Sequence, residues 1–168
     1  MKALDAYFGD DLADDDGNSA AEQGVKLRLN GRPDDPELDF IGEFKGFSTN
    51  IREDKGEATD GEEYYLFHIE VVDAKGTQLL EGKEYTAYFD GDTKTRKPAA
   101  QRQETKNMLR LIAEVAGKSL EWMHHTDEGQ QFVLDFAESG GADWAGTEYN
   151  FYHEVQKGGW KKMRAKSA

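Results

Sequence analysis

Period-two alternation dominates the chain. In residues 63–73, Tyr65, Phe67, Ile69 and Val71 fall on one face and Tyr64, Leu66, His68 and Glu70 on the other, which predicts a strand with one buried side. Residues 83–90 repeat the pattern, with Tyr85, Ala87 and Phe89 opposite Glu84, Thr86 and Tyr88. Upstream, Phe40-Ile41-Gly42-Glu43-Phe44-Lys45-Gly46-Phe47 predicts an aromatic strand, bent or bulged at a glycine and continuing towards Arg52. A polar, basic connection over 91–97 follows, and Pro98 suits the first turn of a helix. Met108, Leu111, Ile112 and Val115 recur at i, i+3, i+4 and i+7, the stripe of a core-facing helix, and Gly117 supplies its stop. A second short helix is expected over Ser119–His125, ended by Gly129. Alternation resumes in 130–136, with Phe132, Leu134 and Phe136 on one side, and predicts a strand. The last predicted strand, 146–155, sets Tyr149, Phe151, His153 and Val155 against Asn150, Tyr152 and Glu154. Near the start, Val25–Leu29 alternates as one short strand.

Leaving that short strand aside, the order is strand, strand, strand, helix, strand, strand. This is the order of an OB-fold, so the expected class is mainly β with one or two helices: a five-stranded barrel with the helix between the third and fourth strands. An α+β sandwich with the helix on one sheet face is the runner-up. Three segments are expected: an acidic, loosely attached leader (1–37), the OB-fold-like domain (38–156) and a basic tail (157–168).

Composition narrows the function. The chain has 168 residues, no cysteine and a formal net charge of −13. That excludes a disulfide framework, thiolate catalysis and Cys-ligated metals. No apolar run approaches the length of a spanning helix, and the N-terminus has no apolar signal region, so a cytoplasmic protein with no membrane partner is expected. An acidic total argues against a nucleic-acid partner. Its distribution softens that argument: residues 94–118 carry a net +5 and residues 157–168 a further +5, whereas 119–156 carry −8 with no Lys or Arg, and 1–23 carry −6.

Catalytic signatures are absent. No phosphate-binding loop, dinucleotide fingerprint, nucleophile elbow or His-Glu-x-x-His occurs. Asp14, Asp16 and Asn18 imitate the start of a calcium loop, but Ser19 and Val25 stand where its glycine and bidentate glutamate belong. A lone strand histidine such as His68 or His153 is more often structural than a ligand. Neither an enzyme nor a cofactor or metal is therefore expected.

Single strands are held by cations along the phosphates and by aromatic rings under the bases. Tyr64 and Tyr88 fall on the less apolar faces of their strands. Arg96, Lys97, Arg102 and Lys106 mark the connection into the helix and its polar side, and Trp160 stands beside Lys161, Lys162 and Arg164. Lys45, Arg52 and His68 complete the candidate set. The ordinary alternative is core or cross-strand packing for each aromatic and a solvated face for each base.

The layout resembles the small OB-fold single-stranded-DNA-binding proteins of bacteriophages. The resemblance rests on Gly42-Glu43-Phe44, on Tyr64-Tyr65-Leu66-Phe67-His68-Ile69-Glu70-Val71, on Gly82-Lys83-Glu84-Tyr85 and on Val115-Ala116-Gly117. It implies sequence-independent binding of exposed single strands in DNA replication or recombination, inside an infected bacterial cell. An exposed strand edge would permit a homodimer. Many such proteins end in an acidic tail that recruits partners. Here the C-terminus is basic, and the acidic segment, with Tyr7 and Phe8, is N-terminal. Residues 4–16 are expected to occupy the groove when DNA is absent and to contact replication or recombination proteins when it is bound. Two other classes stay open: an acidic DNA mimic that inhibits a basic protein partner, and a plain interaction module.

Overall fold

The computed structural model describes Leu29, residues 31–91 and residues 98–168. The expected strand at Val25–Leu29, apart from Leu29 itself, the acidic segment around Tyr7 and Phe8, and the candidates Arg96 and Lys97 lie outside the described residues.

The described chain forms five antiparallel strands and three α-helices. Their order is β1 (Asp39–Ile51), β2 (Glu63–Asp73), β3 (Glu84–Asp90), α1 (Pro98–Ala116), α2 (Leu120–His125), α3 (Asp127–Ser139), β4 (Glu148–Val155) and β5 (Lys161–Ser167). One sheet holds all five strands, in the order β3-β2-β1-β4-β5. The expected class is correct: mainly β, with a helix between the third and fourth strands. The sheet is barrel-like but not closed, since β3 and β5 remain its edges. α1 packs against both edge strands, more extensively against β5.

β1 is the axis of the sheet. Residues 41–51 pair with β2, and residues 39–43 pair with β4. A register shift between Phe44 and Gly46 resets the alternation, so that Phe40, Phe44 and Phe47 all face the core. This is the bulge that the glycines predict. At Gly42 a Cβ would lie 2.6 Å from Ile69 Cγ2, so only glycine lets the two strands approach. The core is aromatic: Phe47 meets Phe67 edge-on at 5.0 Å and stacks on Tyr65 at 5.9 Å. Burying one such ring contributes roughly 2–3 kcal/mol. On α1 the stripe Met108, Leu111, Ile112 and Val115 is buried as its spacing requires.

Two expectations fail. Residues 130–136 are not a strand but the middle of α3. Thr126 caps that helix, its hydroxyl accepting from the Gly129 N–H at 2.9 Å, and Asp127 and Glu128 stand in the first turn. Gly129, Val133 and Phe136 are buried and Leu134 is 43% exposed, a helical rather than an alternating pattern. Gly129 is therefore no helix stop. A Cβ there would lie 2.0 Å from the Trp122 carbonyl, so the glycine lets α2 and α3 touch. The second failure is the basic tail. Residues 161–167 are the fifth strand, with Lys161, Met163 and Ala165 buried and hydrogen-bonded in register to β4. The sheet therefore extends past the boundary expected at 156.

Candidate nucleic-acid interface

The alternation of β2 and β3 leaves half-buried side chains on the outer face of the sheet. Tyr64 and Tyr88, diagonal neighbours across the β2–β3 pair, stack there with ring centroids 5.1 Å apart and planes inclined by 18°. Arg52, at the end of β1, donates from Nη1 to the Tyr88 hydroxyl at 3.3 Å and from Nε to Asp54 at 2.7 Å. The Tyr88 hydroxyl donates in turn to Asp90 at 2.5 Å. Burial, then the adjacent Asp90, pushes the Tyr88 phenol well above its usual range, so it stays a donor. Burial alone would lower the Arg52 pKa, but the hydrogen bond to Asp54, with Tyr88 and Asp90 beside it, outweighs burial and raises it. The arrangement fixes the Tyr88 ring and presents the half-buried Tyr64 beside it.

Further along the same face, His68 joins β1 to β3. His68 Nδ1 donates to Glu84 at 3.2 Å, and its Nε2 lies 2.9 Å from the Ser48 hydroxyl. Asn50 continues the chain by donating to Ser48 Oγ at 3.0 Å. Beyond it runs a row of glutamates: Glu43 pairs in register with both Glu148 and Glu70, and Glu70 with Glu84. Lys45 answers two of them, at 3.2 Å from Glu43 and 3.7 Å from Glu70.

The structure thus brings Arg52, Tyr64, Tyr88 and His68 together on one face, with Lys45 at its acidic end. It does not bring Lys161, Lys162 and Arg164 there. These lie on β5, at the other end of the strand order. Lys161 is buried and donates to the Arg32 and Pro33 carbonyls, at 3.4 and 2.9 Å. Lys162 pairs with the buried Glu104 at 3.3 Å. Arg164 is gripped by Glu114 at 2.5 Å and Glu154 at 3.0 Å. Trp160, partly buried, sits in the β4–β5 loop beside Gly158. Arg102 and Lys106 are exposed on the first half of α1, with no ion pair among the described residues. The charge pattern along the sequence does not reveal the acids that occupy its bases. Glu104 and Glu114, the only two acids in residues 94–118, were visible in the sequence, but nothing there showed that both face β5.

Among the described residues, no group of His, Asp and Glu is placed to hold a metal, and no helix is long and apolar enough to cross a membrane. Comparison with known proteins finds no matching family model, no matching curated protein and no matching solved structure.

Proposed function

We propose that this protein binds single-stranded DNA without sequence preference, serving replication or recombination. The observation that carries this is the Tyr64–Tyr88 stack on the outer face of β2–β3, since OB-type barrels take oligonucleotides on the face of their second and third strands. A base stacks on Tyr64, which Tyr88 and the Arg52 network hold in place. Arg102, Lys106 and the basic connection that leads into α1 supply phosphate contacts.

The test is fluorescence anisotropy of a labelled oligo-dT of about 30 nucleotides against the matching duplex, at two salt concentrations. Binding to the single strand, weakened by salt, is expected. Tyr64→Ala, which truncates a half-buried ring outside the core, should weaken it by about tenfold, given about 1–3 kcal/mol per stacked base. An absence of binding would overturn the proposal. It would then favour the second reading, an acidic DNA mimic, which the row Glu148, Glu43, Glu70 and Glu84 supports. Like charges set directly opposite one another destabilise a sheet, and a face keeping four of them suits a basic protein partner.

A further inference from the structure

Outside this face, one buried titratable group holds two distant parts of the chain together. His153, on β4, is 5% exposed. Its backbone N–H donates to the Leu38 carbonyl at 2.9 Å. Its ring Nδ1 lies 2.9 Å from the Leu38 N–H, and its Nε2 lies against the Leu29 carbonyl. The partners dictate the ring's state: an N–H needs an acceptor at Nδ1 and a carbonyl needs a donor at Nε2, so His153 is neutral with its proton on Nε2. Leu29 and Leu38 are fully or almost fully buried. Between them, Gly31 forms two hydrogen bonds with Lys161, its N–H to the Lys161 carbonyl and its carbonyl to the Lys161 N–H, both at 2.8 Å. The Lys161 ammonium binds the Arg32 and Pro33 carbonyls. Leu29 and residues 31–38 are thus laid along β4 and β5 and tied there by two side chains.

We propose that this segment is a proton-released strap: His153 and Lys161 hold it on the sheet, and protonation of His153 lets it go. An imidazolium carries protons on both nitrogens, so Nδ1–H would face the Leu38 N–H donor to donor. The cation would also be buried beside Lys161 of β5. The Leu29 carbonyl, and after it Glu37 and Asp35 on the strap itself, oppose this only in part. Burial, reinforced by Lys161, holds the ring below the ordinary imidazole value of 6.5. The sign follows. The clamp is fully present above that ordinary value and is lost as the pH falls through the lowered one.

Amide hydrogen exchange on the full chain tests this, with rates corrected for their intrinsic pH dependence. Between about pH 7.5 and about pH 5, protection of the Leu38 and Gly31 amides should fall at least about tenfold relative to that of Ile69 in the core. In His153→Gln, which cannot titrate, the ratio should not change with pH. The ring nitrogen shifts of the wild-type protein at the upper pH should report the Nε2–H form. Leu38 protection that tracks Ile69 across the range, or an Nδ1–H ring, would overturn the strap. Both wild-type measurements decide the matter even where the variant does not fold.

Discussion

Glu114 is one of the points at which α1 is fastened to the edge of the sheet. Its Oε2 accepts from Arg164 Nε at 2.8 Å and Nη2 at 2.5 Å, and its Oε1 accepts from the Ala165 N–H at 2.8 Å. One carboxylate therefore closes an ion pair and satisfies a donor of the β5 backbone. Glu114→Ala removes all three bonds. Ala165 is 3% exposed, and orphaning its buried N–H costs about 1–3 kcal/mol. Arg164 keeps Glu154 at 3.0 Å, so the lost pairing adds only about 1 kcal/mol for a pair that is still partly solvated. The total is about 3 kcal/mol. With a urea dependence of about 2 kcal/mol per molar, the unfolding midpoint should fall by about 1.5 M. Urea titration followed by tryptophan fluorescence reads this directly. Glu114→Gln, which retains an oxygen for the Ala165 N–H, should lose about a third as much. In a double-mutant cycle with Arg164→Met, the coupling should be about 1 kcal/mol. A loss below about 0.5 kcal/mol for Glu114→Ala, or strict additivity with Arg164→Met, would refute this account of how the helix is held.

Three further substitutions test the places where sequence and structure part or meet. If 127–139 is a helix, Phe136→Ala should cost about 3–5 kcal/mol and Leu134→Ala under about 0.5 kcal/mol in thermal or urea unfolding; comparable losses would restore the alternating strand. Gly42→Ala should destabilise by about 1–3 kcal/mol, because its Cβ would press on Ile69 and on the Phe40 ring; an unchanged midpoint would show that β1 and β2 can move apart at that bulge.

The parts of the fold legible in the sequence are those where burial alone sets the pattern. β2, β3 and the apolar stripe of α1 each present one buried face, and their periods survive intact. α3 is ambiguous in the sequence because Gln130–Phe136 satisfies both periods: Phe132 and Phe136 are four apart as well as on one face of a strand. The signal that decides is the cap, Thr126 followed by Asp127 and Glu128, rather than the apolar residues. β5 is hidden for the opposite reason. Of its inward residues Lys161, Met163 and Ala165, only Met163 is a large apolar side chain, so charge masked the alternation. The phase of β2 and β3 sets Tyr64 and Tyr88 off their buried faces, and neither belongs to the core. Their mutual stacking depends on a strand register that no local pattern contains.

The same distinction reshapes the electrostatic argument. A net charge counted along a segment is a statement about composition, whereas binding depends on which cations lack a nearby anion. Residues 157–168 carry five bases and no acid, yet Lys161 points into the strap, Lys162 meets Glu104 and Arg164 meets Glu114. Within the +5 segment, Arg110 is likewise committed, to Glu154 at 3.4 Å. The steep salt dependence suggested by the basic segments therefore does not follow from their charge. Each phosphate contact on a single strand contributes about −0.7 to the slope of log K against log salt, so under the proposed binding Arg102 and Lys106 together would give about −1.4. Lys94, Arg96 and Lys97, and the exposed Lys118, Lys157 and Lys166, would add at most about −0.7 each. A slope steeper than the exposed cations can supply would mean that Lys162 and Arg164 abandon their carboxylates for phosphates, and with them contacts that hold α1 to the sheet.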